Sequence, residues 1–111
     1  MNKSTREVGK QLEYWFAEEL TKFGIPARPT KNSGASGELE DINCYKFICQ
    51  MKVDNKKENV IIKHKDWIKL LNKIPVDSLR IPLFINQNSV NEKFVTLRAE
   101  DFLRLIGEKN V

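Results

Sequence analysis

Cysteine and histidine are scarce in this chain: two of the first, Cys44 and Cys49, and one of the second, His64. Two cysteines are too few for a disulfide-stapled module, and four intervening residues match neither a zinc nor a redox spacing. Structural zinc takes four ligands, so both cysteines read as packed strand residues in a reducing compartment. His64 stands between Lys63 and Lys65, where a solvated side chain is a better reading than a general base. No apolar run approaches the roughly 20 residues that span a bilayer. The opening MNKSTREVGK leads into an amphipathic pattern and not a secretory core. A membrane is therefore not an expected partner, and a cytoplasmic location is. Internal repeats and low-complexity linkers are also missing, which excludes solenoids and tethered arrays.

What is present suits one folded domain over residues 1–111. The length allows a single core and no second one. An apolar share of 41% and a charged share of 31% suit a globular chain. The formal net charge of +4 is unevenly placed. Residues 46–73 hold eight lysines against Asp54, Glu58 and Asp66, a net +5, while the rest sums to −1. Such a concentration attracts a polyanion through counterion release, and nucleic acid is the commonest one.

The pattern along the chain predicts α-β-β-β-α-β-β-α. Ser4-Thr5-Arg6-Glu7 is a capping-box signature. Val8, Leu12, Trp15, Phe16, Leu20 and Phe23 follow at helical spacing until Gly24 and Pro26. Glu13 lies along the margin of that stripe, where a carboxylate can reach into a cleft. A first strand is expected near Ala27 to Thr30. The run KNSGASG from Lys31 is a loop whose backbone can approach another molecule closely. Leu39 to Cys44 and Phe47 to Val53 read as strands joined by a turn at Tyr45 and Lys46. On the second of these, Gln50 and Lys52 share one face while Cys49, Met51 and Val53 take the other. Trp67, Leu70, Leu71 and Ile74 mark a second helix from Lys63, ended by Pro75. Strands over Arg80 to Ile85 and Phe94 to Leu97 flank a polar loop from Asn86 to Asn91. A last helix covers Ala99 to Ile106, with Phe102, Leu105 and Ile106 facing inward.

A hairpin between Asp41 and Gln50 brings both side chains to one end of the sheet, where the first helix can add Glu13. Phosphodiester hydrolysis requires a divalent cation on hard oxygen ligands, and a positive group such as Lys52 near the attacked phosphate.

With Gly9 and Glu13 on the helix, Ser33-Gly34-Ala35-Ser36-Gly37 in the loop, then Asp41 and Gln50-Met51-Lys52, the sequence resembles the PD-(D/E)XK nucleases. It is most similar there to archaeal and phage Holliday junction resolvases, over nearly the whole chain. The resemblance implies a restriction-endonuclease-like α/β fold, a central mixed sheet flanked by helices in the order αβββαββα. It implies a structure-selective DNA endonuclease acting on branched or four-way DNA in recombination or repair, and a homodimer. Its cofactor would be Mg²⁺, with Mn²⁺ substituting. The catalytic residues it implies are Glu13, Asp41, Gln50 and Lys52, and the metal ligands Glu13, Asp41, Gln50 and the backbone carbonyl of Met51. DNA contacts would come from Lys31, Ser33, Gly34 and Ser36 in the loop and from Lys56, Lys57, Lys63 and Lys65. Two departures matter. Gln50 stands where the family usually has a second acid, which implies weaker Mg²⁺ binding, and Glu40 replaces the proline. Glu38 or Glu40 can supply the missing charge. The alternative is a binding module, non-catalytic or dependent on a partner, on a degenerate nuclease fold.

Overall fold

A computed structural model describes residues 4–30 and 41–109. The elements follow the predicted order: α1 (Thr5–Lys22), β1 (Ala27–Pro29), β2 (Ile42–Cys44), β3 (Phe47–Val53), α2 (His64–Leu71), β4 (Ile81–Gln87), β5 (Lys93–Thr96) and α3 (Ala99–Lys109). Their strands form one five-stranded sheet in the order β1-β2-β3-β4-β5. Three of its pairings are antiparallel, and β3 and β4 run parallel, with α2 in the connection between them. A parallel pair cannot be joined by a tight turn, so the crossover helix is a requirement of the topology.

The sheet is covered on both faces because its central strands alternate their side chains between two cores. Phe47, Cys49, Met51 and Val53 of β3 pack with Leu12, Phe16 and Ala17 of α1, and Leu105 of α3 joins them. Ile48 of β3 and Phe84 of β4 turn the other way, against Leu70 and Trp67 of α2. Trp67 meets Phe84 edge-on, with ring centroids 4.8 Å apart. This two-faced burial is why β4 reads as an unbroken apolar run at its start. Cys44 and Cys49 are buried and unbridged, as expected of packed strand residues.

The helix signals act locally as their chemistry requires. Ser4 Oγ accepts the backbone N–H of Glu7 and starts α1. Gly24 ends it at φ 86, a left-handed conformation that glycine adopts without steric cost. Several boundaries and orientations differ from expectation. Phe23 is exposed, so the apolar stripe of α1 stops one turn earlier. α2 ends at Leu71, not Ile74, because Lys73 and Ile74 bond back to the carbonyls of Leu70 and Leu71 in tightened turns ahead of Pro75. β4 runs two residues past Ile85, since Asn86 and Gln87 pair with Phe94 and Lys93. In α3, Leu105 faces the core, whereas Phe102 and Ile106 are exposed.

Candidate functional site

β2 has three residues and β3 has seven, so β3 overruns its neighbour and its outer N–H groups lose their ladder partners. Asp41 sits at this split, immediately before β2. Its main chain is clamped on both sides: its N–H donates to Cys49 O, and its carbonyl accepts from Thr30 N and Thr30 Oγ1. The carboxylate then takes the place of the missing strand. Asp41 Oδ2 accepts the Met51 N–H at 2.9 Å and Gln50 Nε2 at 2.8 Å. In an extended strand a residue's N–H and C=O point to the same side, so the Met51 carbonyl is directed to the edge that Asp41 occupies.

Gln50 is held at both ends. Its Oε1 accepts from Lys73 Nζ at 3.1 Å while its Nε2 donates to Asp41. An ammonium can only donate and an ionised carboxylate can only accept, so the two contacts fix one orientation of the amide. Lys52, next on the same face of β3, donates to Asp66 Oδ2 at 3.3 Å. That oxygen also accepts the Lys63 N–H at 2.8 Å, which caps the start of α2. The Lys63 amide above all holds the Asp66 carboxyl below its ordinary pKa; desolvation opposes it, and the hydrogen bond and charge of Lys52 lower it further. Lys52 is thus attached to α2 and not to Asp41.

Between β3, β4 and α2 lies a cleft of about 210 Å³. Lys52, Lys69 and Lys73 line it against one carboxylate, Asp66, with Gln50 and Phe84 as its floor. Three ammonium groups against one acid make this an anion-favouring space. Residues 66, 69 and 73 were not singled out for the site from sequence. The spacing of three residues was the signal for Asp66 and Lys69, since it puts them on one face of α2, whereas Lys73 follows in the turns after the helix.

The structure brings Asp41, Gln50 and the Met51 main chain together and sets Lys52 beside them. Glu13 comes from the other layer: it is buried beside Leu12, Phe16 and Ala17 on α1, which covers the face opposite Gln50 and Lys52. Lys56, Lys57, Lys63 and Lys65 are exposed, the amides of the first two bound by Asp54 Oδ1. His64 is exposed at the start of α2. Lys31, Ser33, Gly34 and Ser36, and the acids Glu38 and Glu40, lie outside the described residues.

Among the described residues no three His, Cys, Asp or Glu side chains gather to hold a metal ion. The Asp41 carboxylate and the Met51 carbonyl are two hard oxygen donors on one edge, which fits a divalent cation. Gln50 fits only if its amide turns over and gives up both present hydrogen bonds. No helix is long and apolar enough to cross a membrane among the described residues. The chain matches no family model, no curated protein and no solved structure.

Proposed function

We propose that this chain is a metal-dependent DNA endonuclease of the restriction-endonuclease-like class, structure-selective in the manner of Holliday junction resolvases. The observation that carries the reading is the Asp41 carboxylate, held where β2 and β3 separate by the Met51 N–H and the Gln50 amide, two residues that also line the lysine-rich cleft. Asp41 and the Met51 carbonyl would hold Mg²⁺ or Mn²⁺, with Glu13 and a reoriented Gln50 as further donors. The ion would polarise the phosphate and acidify a bound water. Lys52, Lys69 and Lys73 neutralise the phosphate that enters the cleft, and Lys52 passes from Asp66 to a phosphate oxygen. Asp66 keeps the Lys52 ammonium placed until then. Lys56, Lys57, Lys63 and Lys65 would add phosphate contacts that position a duplex without reading its sequence.

The decisive experiment compares a four-way junction, a flap and linear duplex of matched length, with and without Mg²⁺. Cutting of the branched substrates only with the ion is expected, and Asp41→Ala or Lys52→Ala should abolish it while the protein remains folded. Cleavage that persists in excess chelator would eliminate the mechanism.

A second reading is favoured by one observation: the amide of Gln50 is committed to Lys73 and Asp41. On that reading the chain binds nucleic acid without cutting it, or cuts only with a partner subunit. Salt-sensitive binding without cleavage under any divalent ion would support it.

A homodimer is also proposed. β5 is an edge strand, and Phe94 and Val95 on it are about half exposed. Phe102, Leu103 and Ile106 of α3 are exposed too, apolar side chains that a second copy of the chain would cover.

A further inference from the structure

A second and larger cleft, about 920 Å³, opens where α1 begins and where β3 and β4 end. Its lining is chemically one-sided. Lys56 and Lys93 are its charged groups, and the rest is mostly hydroxyls and carboxamides, Ser4 and Thr5 from α1 and Gln87 and Asn91 from the β4–β5 hairpin among them. None of its described lining residues is acidic. The positive end of an 18-residue helix adds to the same sign.

The walls are fixed by hydrogen bonds between loops. Asp54 binds the amides of Lys56 and Lys57 through its side chain and donates its own N–H to Gln87 O. Ser89 N donates to Lys57 O, and Asn88 Nδ2 donates to Glu58 O at 3.0 Å. The Lys93 ammonium stands 5.4 Å from the centroid of the Trp15 ring, which holds it at the rim. Gln87 is more than nine-tenths buried yet lines the space. One of its amide hydrogens goes to Asn91 Oδ1 at 3.3 Å. Among the described residues its side chain makes no other hydrogen bond.

We infer that this cleft binds a stretch of nucleic-acid backbone, with Lys56 and Lys93 on successive phosphates and the carboxamides of Gln87 and Asn91 on sugar or base edges. Lysines supply the salt-dependent affinity, and amides pair in both directions with the donors and acceptors of nucleotides. The volume lies in the range of sites that enclose small organic ligands, far more than a lone anion occupies. From the proposed function the inference borrows the polymer and the phosphate contact of Lys56; it requires neither metal nor reaction.

The test is binding by the whole chain, in chelator, of a short fluorescein-labelled DNA single strand and of the matching duplex, followed by anisotropy. The double variant Lys56→Ala/Lys93→Ala should weaken binding of at least one form by about tenfold, with a salt slope shallower by roughly 0.7 per lysine for single strands. A charge-matched variant at the far end of the molecule, Lys22→Ala/Lys46→Ala, should lose less than about threefold if proximity governs. Asn91→Asp preserves the contact from Gln87 and the positive φ of 65 that asparagine and aspartate tolerate. It places a carboxylate in the acid-free cleft, and about three- to tenfold weaker binding is expected from repulsion of the phosphates. Equal losses in the two double variants, wild-type binding by Asn91→Asp, or displacement of the DNA by a glutamate peptide at equal concentration would each overturn the assignment. A chain that binds through this cleft and cuts nothing would sink the hydrolase and leave the cleft standing. Normal cutting together with unchanged binding by Lys56→Ala/Lys93→Ala would do the reverse.

Discussion

At the scale of single residues, Gln50 carries the sharpest consequence. Its Nε2 lies 2.8 Å from Asp41 Oδ2, so Gln50→Glu puts two carboxylates at hydrogen-bond distance. Without a cation they repel, and the variant should unfold more easily by about 1–2 kcal/mol despite its new pairing with Lys73. Mn²⁺ should recover that loss and stabilise the variant more than the wild type, read from thermal unfolding with and without the ion. Asp66 predicts a pH dependence. Its folded pKa is depressed, so it contributes stability above its ordinary value of 3.8 and loses it as pH falls through the lower folded value. Asp66→Asn should therefore flatten the decline in urea midpoint below about pH 4. The pairing of Asp41 with Gln50 and the face shared by Gln50 and Lys52 were legible in the sequence, because a hairpin and a period of two suffice to place them. The attachment of Lys52 to Asp66 was not, since it depends on how α2 docks after a crossover that no local pattern specifies.

At the scale of elements, the eight segments and their order follow from periodicity and punctuation, and the errors gather where polar residues are buried. Asn86 to Asn91 reads as a loop because nothing in a run of amides signals burial, yet Asn86, Gln87 and Asn88 are all buried. Asn88 explains how: its Oδ1 accepts from Val90 N and Glu92 N, and its Nδ2 donates to Glu58 O and Glu92 Oε1. One side chain thereby reinforces the backbone bonds of the turn, Asn91 N to Asn88 O and Asn88 N to Glu92 O, and fastens the hairpin to the loop after β3. Asn88→Ala should cost about 2–3 kcal/mol, since it strands two amide donors. Hydrogen exchange should then speed up first in β4 and β5. The misplacement of Phe102 and Ile106 has another origin. Helical spacing defines an apolar stripe but not which part of it the sheet is wide enough to cover.

At the scale of the molecule, a sheet edge left with Phe94 and Val95 exposed predicts self-association. Sedimentation of the wild type should give a dimer, and Phe94→Lys a monomer whose unfolding temperature at low concentration changes little. A wild-type chain that sediments as a monomer throughout the micromolar range would remove this expectation. The largest structural consequence belongs to α2. Eight residues are too few to persist as an isolated helix, so α2 exists because Trp67 and Leu70 dock on Phe84 and Ile48. The same short segment carries Asp66, which restrains Lys52, and leads into Lys73, which restrains Gln50. The aromatic contact beneath it thus acts as a latch: whatever loosens Trp67 from Phe84 releases the polar groups above without touching one of them.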